Sequence, residues 1–342
     1  MIFYGSFFMH LSQALGIINI TAPEQIQTLS DLLPLDIIQQ AFSLTDTVTL
    51  RKRKFPLESM VWLVMGMAIY NGRPLSHIVN LMDIVDRTVR PFTAPSSVIQ
   101  RRKILGEDAI KVLFQLTQQQ WNLEAKHPRW HGLPLLGVDG VVWRTQDTPQ
   151  NAAAFSKSSN QHGKATYPQV RMVCQMELSS HLITASTFDS FATNEMHLAA
   201  RLAAETADDS ITLFDKGFYS LGLLNHWQNA GKNRHWLLPL KKNTQYEVIR
   251  KLGRKDMLVT LKTSPQARRQ WEGLPEEMTA RLIIRKIDGK ERSILTSLTD
   301  AMRYPGADVS ELYQHRWEIE LGYREAKQGL LGNRWTLRSK LP

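Results

Sequence analysis

YQHRWEIELGYREAK, residues 313–327, decides the reading of this chain. No Pro interrupts the stretch, and Asp308 or Ser310 stands where a helix cap is wanted. At about 100° per residue, Tyr313, Arg316, Glu320, Arg324 and Lys327 fall within one arc of roughly 80°. Leu312, Ile319, Ala326 and Leu330 gather on the other side. The spacing therefore predicts one helix with an apolar back and a front that sets a carboxylate among cations and a phenol. A solvated face with Arg–Glu pairs at i, i+4 would look similar, so the carboxylate gains meaning only if partners lie elsewhere in the chain.

Upstream, LPLLGVDGVVWR reads as a short apolar strand ending at Asp139 and Gly140. YPQVRMVCQMEL and HLITASTFDS read as two more strands. NEMHLAARLAAET is an amphipathic helix capped by Thr193 or Asn194, and ITLFDKGFYS is a strand ending in Asp215. SLGLLNHWQNAG is a helix stopped by Gly231, and HWLLPL is a further strand. Three strands, helix, strand, helix, strand is the order of a ribonuclease H-like α/β fold, with helices on the faces of a sheet. In such sheets ligand groups gather at strand ends. Asp139, Asp215 and the helical Glu320 then form a set of three carboxylates. An oxygen-only set favours a hard cation, Mg²⁺ or Mn²⁺. A pair of such ions activates an attacking oxygen and stabilises a leaving one at phosphorus.

The chain has 342 residues, 43% hydrophobic and 22% charged, enough for two or three domains. A net charge of +10 and a pI near 9.7 favour a polyanionic partner. No run of about 18 apolar residues is present, so nothing reads as a membrane span. The single cysteine, Cys174, excludes an internal disulfide and a cysteine-built zinc site, which points to the cytoplasm. The opening MIFYGSFF lacks a basic region and a cleavage site, and is not read as a signal peptide. From about Leu11 to Leu123 the spacing is helical, with breaks at 71–74 and 90–91. Two basic clusters stand out, residues 51–54 and Arg101-Arg102-Lys103; the second sits on a short helix ending in Gly106, suited to phosphate contact. Between Leu240 and Asp300 the pattern turns β-rich, with a turn at Asp288-Gly289 and many cations, including Lys241, Lys242, Arg250 and Arg254. Trp236 and Trp271 read as buried aromatics before they read as platforms for an unpaired base.

Tyr313, two residues, Arg316, three residues, Glu320, six residues, Lys327 is the YREK spacing. By this spacing, the DG at Asp139 and the DKGFYS at Asp215, the chain resembles bacterial insertion-sequence DDE transposases of the insertion-sequence-four family. The resemblance implies a helical DNA-end-binding domain over 9–124. It also implies a ribonuclease H-like catalytic domain over 133–342, with a β-rich insertion at 241–300. It implies that Asp139, Asp215 and Glu320 hold Mg²⁺, with Mn²⁺ able to substitute, and that Tyr313, Arg316 and Lys327 hold the DNA end. Arg101, Arg102 and Lys103 become candidate DNA contacts. The implied partners are double-stranded DNA, as transposon ends and target, and a second copy of the chain in a homodimer, with no membrane and a nucleoid-associated place in the cytoplasm. Relatives commonly continue beyond the YREK helix, which raises the expectation of a C-terminally shortened copy. The alternative activity would be a DNA-binding inhibitor of transposition.

Overall fold

A computed structural model describes residues 33–47, 56–70, 73–81, 95–157, 159–160, 163–164, 166–287, 289–325, 336–337, 339–340 and 342. The basic run at 51–54, the breaks at 71–72 and 90–91, Asp288 of the expected turn, and Ala326, Lys327 and Leu330 of the expected helix lie outside them. Chain contacts divide the protein into two compact units, Met1–Lys126 with Tyr323–Arg334, and His127–Gly322 with Trp335–Pro342.

The first unit is helical: α1 (Leu35–Leu44), α2 (Leu57–Ile69), α3 (Leu75–Leu81) and α4 (Pro95–Glu124). Ile38, Met60, Leu63, Ile78 and Leu105 are buried between them. Inside α4, Gly106 sits at φ 70° and ψ 175°, a left-handed φ that a side chain resists, and the helix breaks there. Arg101 and Arg102 are half-buried and Lys103 is exposed just before the break.

The second unit is built on one ten-stranded sheet. Its elements are β1 (Arg129–Trp130), β2 (Leu133–Arg144), α5 (Pro149–Ala154), β3 (Ser159–Asn160), β4 (Gly163–Lys164), β5 (Gln169–Glu177), β6 (Ile183–Ser190), α6 (Glu195–Leu202), β7 (Ile211–Phe214), α7 (Leu221–Asn229) and β8 (His235–Pro239), and then β9 (Glu247–Gly253), β10 (Asp256–Lys262), α8 (Pro265–Gln270), β11 (Glu277–Ile287), β12 (Lys290–Thr296), α9 (Gly306–Leu312) and α10 (Trp317–Glu325). The sheet order is β6-β5-β2-β7-β8-β12-β11-β10-β9, with β1 on β2 and the β3–β4 hairpin separate. β5 is antiparallel to β2 and β6, while β7 is parallel to β2 and β8. That is the ribonuclease H-like arrangement expected from the element order. α6 and α7 bury Leu198, Leu202, Leu223 and Trp227 against Val138 and Phe214.

Three local readings change. Asp139 does not end its strand: β2 runs on to Arg144, because β5 pairs with it along its whole second half. The 313–327 stretch is not one helix. α9 stops at Leu312, a 3₁₀ turn covers Tyr313–Arg316, and α10 begins at Trp317. Pro305, not Asp308 or Ser310, holds the position before α9, and the Ser310 hydroxyl donates back to the Gly306 carbonyl within the helix. The β-rich segment joins the main sheet. β12 pairs antiparallel with β8, Leu295 opposite Leu238, and so extends the main sheet. Trp236 is fully buried, its indole N–H donating to Gln228, and Trp271 packs on the same core.

The turn after β5 is pinned by Glu177. Its buried carboxylate accepts from the backbone N–H and hydroxyl of both Ser179 and Ser180, at 2.7–3.0 Å, and lies 3.1 Å from His127 Nδ1. Burial alone would raise this carboxyl, but the bonds from His127, Ser179 and Ser180 outweigh it and hold it below the ordinary 4.5. The turn carries His181, whose Nε2 lies 3.2 Å from Glu318 on α10. A depressed folded-state value means that the contribution is present above the unfolded value and is lost as pH falls through the folded one. Glu177→Gln is therefore expected to lower stability by about 2 kcal/mol at pH 7. The gap from wild type narrows below pH 4.5. Urea titrations on either side of that pH check it, and a pH-independent gap would remove the carboxylate as the cause.

Candidate active site

Adjacent strands bring the two aspartates together. The parallel register sets Val138 opposite Phe214, and each is followed directly by an aspartate, Asp139 and Asp215. β7 ends at Phe214, so Asp215 leaves the sheet and caps the next turn, accepting from Gly217 N–H at 3.3 Å. α10 reaches this point because Gly137 has no side chain: a Cβ there would lie 2.4 Å from Ile319. Buried Ile319 thus lies on bare β2 backbone and places Glu320 beside the aspartates.

Arg316 joins the two elements. Its Nη1 lies 3.0 Å from Glu320 Oε1 and 3.3 Å from Asp215 Oδ1. Burial, with the Asp215, Glu195 and Glu320 carboxylates nearby, pushes Asp139 up to about 6 against the lowering bond from Gly140 N–H. Negative charge is therefore concentrated here, and a guanidinium already answers part of it. No three His, Cys, Asp or Glu side chains among the described residues converge on one point. Asp139, Asp215 and Glu320 offer oxygen donors alone, the donor type a hard divalent ion takes, and the Arg316 cation lies on two of them. Burial raises the Tyr313 phenol, and Asp215 adds to this while Arg316 and Arg292 oppose it. The phenol is thus a neutral donor at physiological pH.

Of the residues singled out in the sequence, Asp139, Asp215, Tyr313, Arg316 and Glu320 come together, Arg324 is exposed, and Lys327 lies outside the described residues. Arg101, Arg102 and Lys103 belong to the helical unit. Two neighbours escaped the sequence reading. Glu195 stands at the first position of α6, where an acid is ordinary helix chemistry. Arg292 stands in β12, one cation among many in the β-rich segment. Neither carries a local signal of its place.

Residues 23–115 match the family described as insertion element 4 transposase N-terminal, and residues 130–341 match the transposase DDE domain. The chain is 52% identical over 336 residues to the transposase InsG for insertion sequence element IS4 of Escherichia coli (strain K12), covering 98% of this chain and 76% of that protein. Among solved structures, a cryo-EM structure of the piggyBac transposase synaptic complex with hairpin DNA aligns at a TM-score of 0.42 and 10% identity, covering 91% of this chain and 69% of that one. With strands, carboxylates and both family matches in agreement, the chain belongs to the IS4 family of DDE transposases.

Proposed function

We propose that the enzyme binds the ends of its own insertion sequence and cuts and rejoins DNA strands with Mg²⁺, Mn²⁺ substituting, held by Asp139, Asp215 and Glu320. When bound, the ion activates the attacking oxygen and stabilises the leaving one at phosphorus. The observation that carries this reading is Arg316 lying between Asp215 and Glu320. A guanidinium placed there balances the carboxylates and is in position to meet a strand phosphate beside them. The neutral Tyr313 phenol donates to a phosphate oxygen, and Arg292 adds positive charge; the YREK spacing gives Lys327 the same role of holding the DNA end. Arg101, Arg102 and Lys103 contact duplex phosphates from the helical unit. Two copies of the chain work on a pair of ends.

The test is a duplex carrying the element's ends, bound over a salt series and then given Mg²⁺. The +10 charge predicts that log K falls with log salt by about 0.9 for each phosphate neutralised. Nicks are expected at the ends only with metal present. A flat salt response, or cutting that ignores the metal, overturns the reading.

A further inference from the structure

Glu320 sits on a helix that its neighbour in sequence does not fix. The 3₁₀ turn at Tyr313–Arg316 parts α10 from α9, so α10 is placed by what lies beneath it. Two glycines make that bed close. Ile319 rests over Gly137 on β2. Gly322, three residues on, rests over β5 and the turn that follows it. A Cβ there would lie 2.5 Å from Met176 Sδ and 3.2 Å from the His181 ring. Met176 stands directly opposite Gly137 in the β2–β5 pairing, so both contacts lie on one face of the sheet. Asp139, two residues after Gly137, shares that face.

Glu318, four residues before Gly322, shares its side of α10. Its Oε2 lies 3.2 Å from His181 Nε2, and the two side chains are only 21% and 14% exposed. A polar contact to a carboxylate sheltered to this degree fixes direction as well as distance. His181 is itself held firmly. Its N–H donates to the Glu177 carbonyl at 2.9 Å, and its φ of 59° lies in the left-handed region. Gly or Asn would take that backbone more readily, so what His contributes here is its ring. We infer that His181 is a positioning residue for Glu320: through Glu318 and Gly322 it holds α10 at the angle that presents the carboxylate to Asp139 and Asp215. This rests on the reading of Glu320 as a member of the site.

His181→Gly tests it, because glycine takes the same φ freely and only the ring is lost. Hydrogen exchange of the full chain is followed over residues 317–325, alongside single-turnover cleavage of a duplex carrying an end of the element. The α10 amides are expected to exchange about tenfold faster, with β2 and β7 unchanged. Cleavage should slow about tenfold to a hundredfold, while DNA binding stays within about twofold. Glu318→Ala breaks the contact from the other side, leaves the turn untouched, and should give the same changes. The double variant should be no slower than the slower single one. Wild-type α10 exchange or wild-type cleavage in His181→Gly, with Glu320→Gln inactive, makes His181 a turn former and overturns the inference alone. Losses that multiply in the double variant overturn it too. Cleavage by Glu320→Gln removes the reading of the site on which it rests.

Discussion

Asp139→Asn, Asp215→Asn and Glu320→Gln are each expected to lower strand cleavage by at least about 10³-fold. Each replaces a carboxylate by a neutral group of the same shape, so packing around it is kept. On the proposed reading, what is lost is an anionic oxygen ligand, and the several kcal/mol of charge stabilisation that a bound ion supplies. DNA binding should hold within roughly twofold, because phosphate contacts come from cations. Removing a negative charge beside a bound phosphate can only reduce repulsion. Arg316 keeps one carboxylate partner in either the Asp215 or the Glu320 variant. Single-turnover cleavage and filter binding on one duplex separate the two effects. Cleavage that survives any one change removes that residue from the set.

The second large effect lies away from the chemistry. Arg281 on β11 and Asp256 on β10 form a buried, two-pronged ion pair, at 2.8 and 2.6 Å. Arg281 Nη1 also donates to the carbonyls of Leu298 and Tyr304. The pair therefore anchors the segment leading to α9, whose first residue, Gly306, packs on Asp256. Asp256→Ala leaves a guanidinium buried with no counter-charge, and is expected to destabilise the protein by about 3–5 kcal/mol. Replacing both residues with apolar ones of similar volume should recover most of the loss, since desolvation offsets most of what such a pair gains. Denaturant titrations of the single and double variants decide this. Equal losses in both would mean that shape, not uncompensated charge, sets the effect.

Apolar runs and their bounding residues made the five central strands legible, and the apparent strand ends put Asp139 and Asp215 in view. What stayed hidden was non-local. Leu238 opposite Leu295 joins the β-rich segment to the sheet, and nothing near either residue announces the pairing. β9 is exposed along almost its whole length, so its charges mask its strand character. The break between α9 and α10 contains no Pro or Gly, and follows from tertiary packing of both helices rather than from propensity. Glu195 was hidden for a different reason: an acid at a helix start already has a sufficient local explanation.

The chain that follows α10 returns to β2. Thr336 bridges to Arg144, Leu337 N–H donates to the Arg144 carbonyl, and the Thr148 hydroxyl donates to the Lys340 carbonyl, 192 residues away in sequence. This closure has a consequence in time. At roughly 5–20 residues per second of synthesis, such a contact waits roughly 10–40 s after its first partner has been made. Helices α1 to α4 and the first strands precede it, so the cations at 101–103 are made well before Glu320. On the proposed reading, DNA binding can thus begin during translation, whereas cutting must wait for Glu320 to be made.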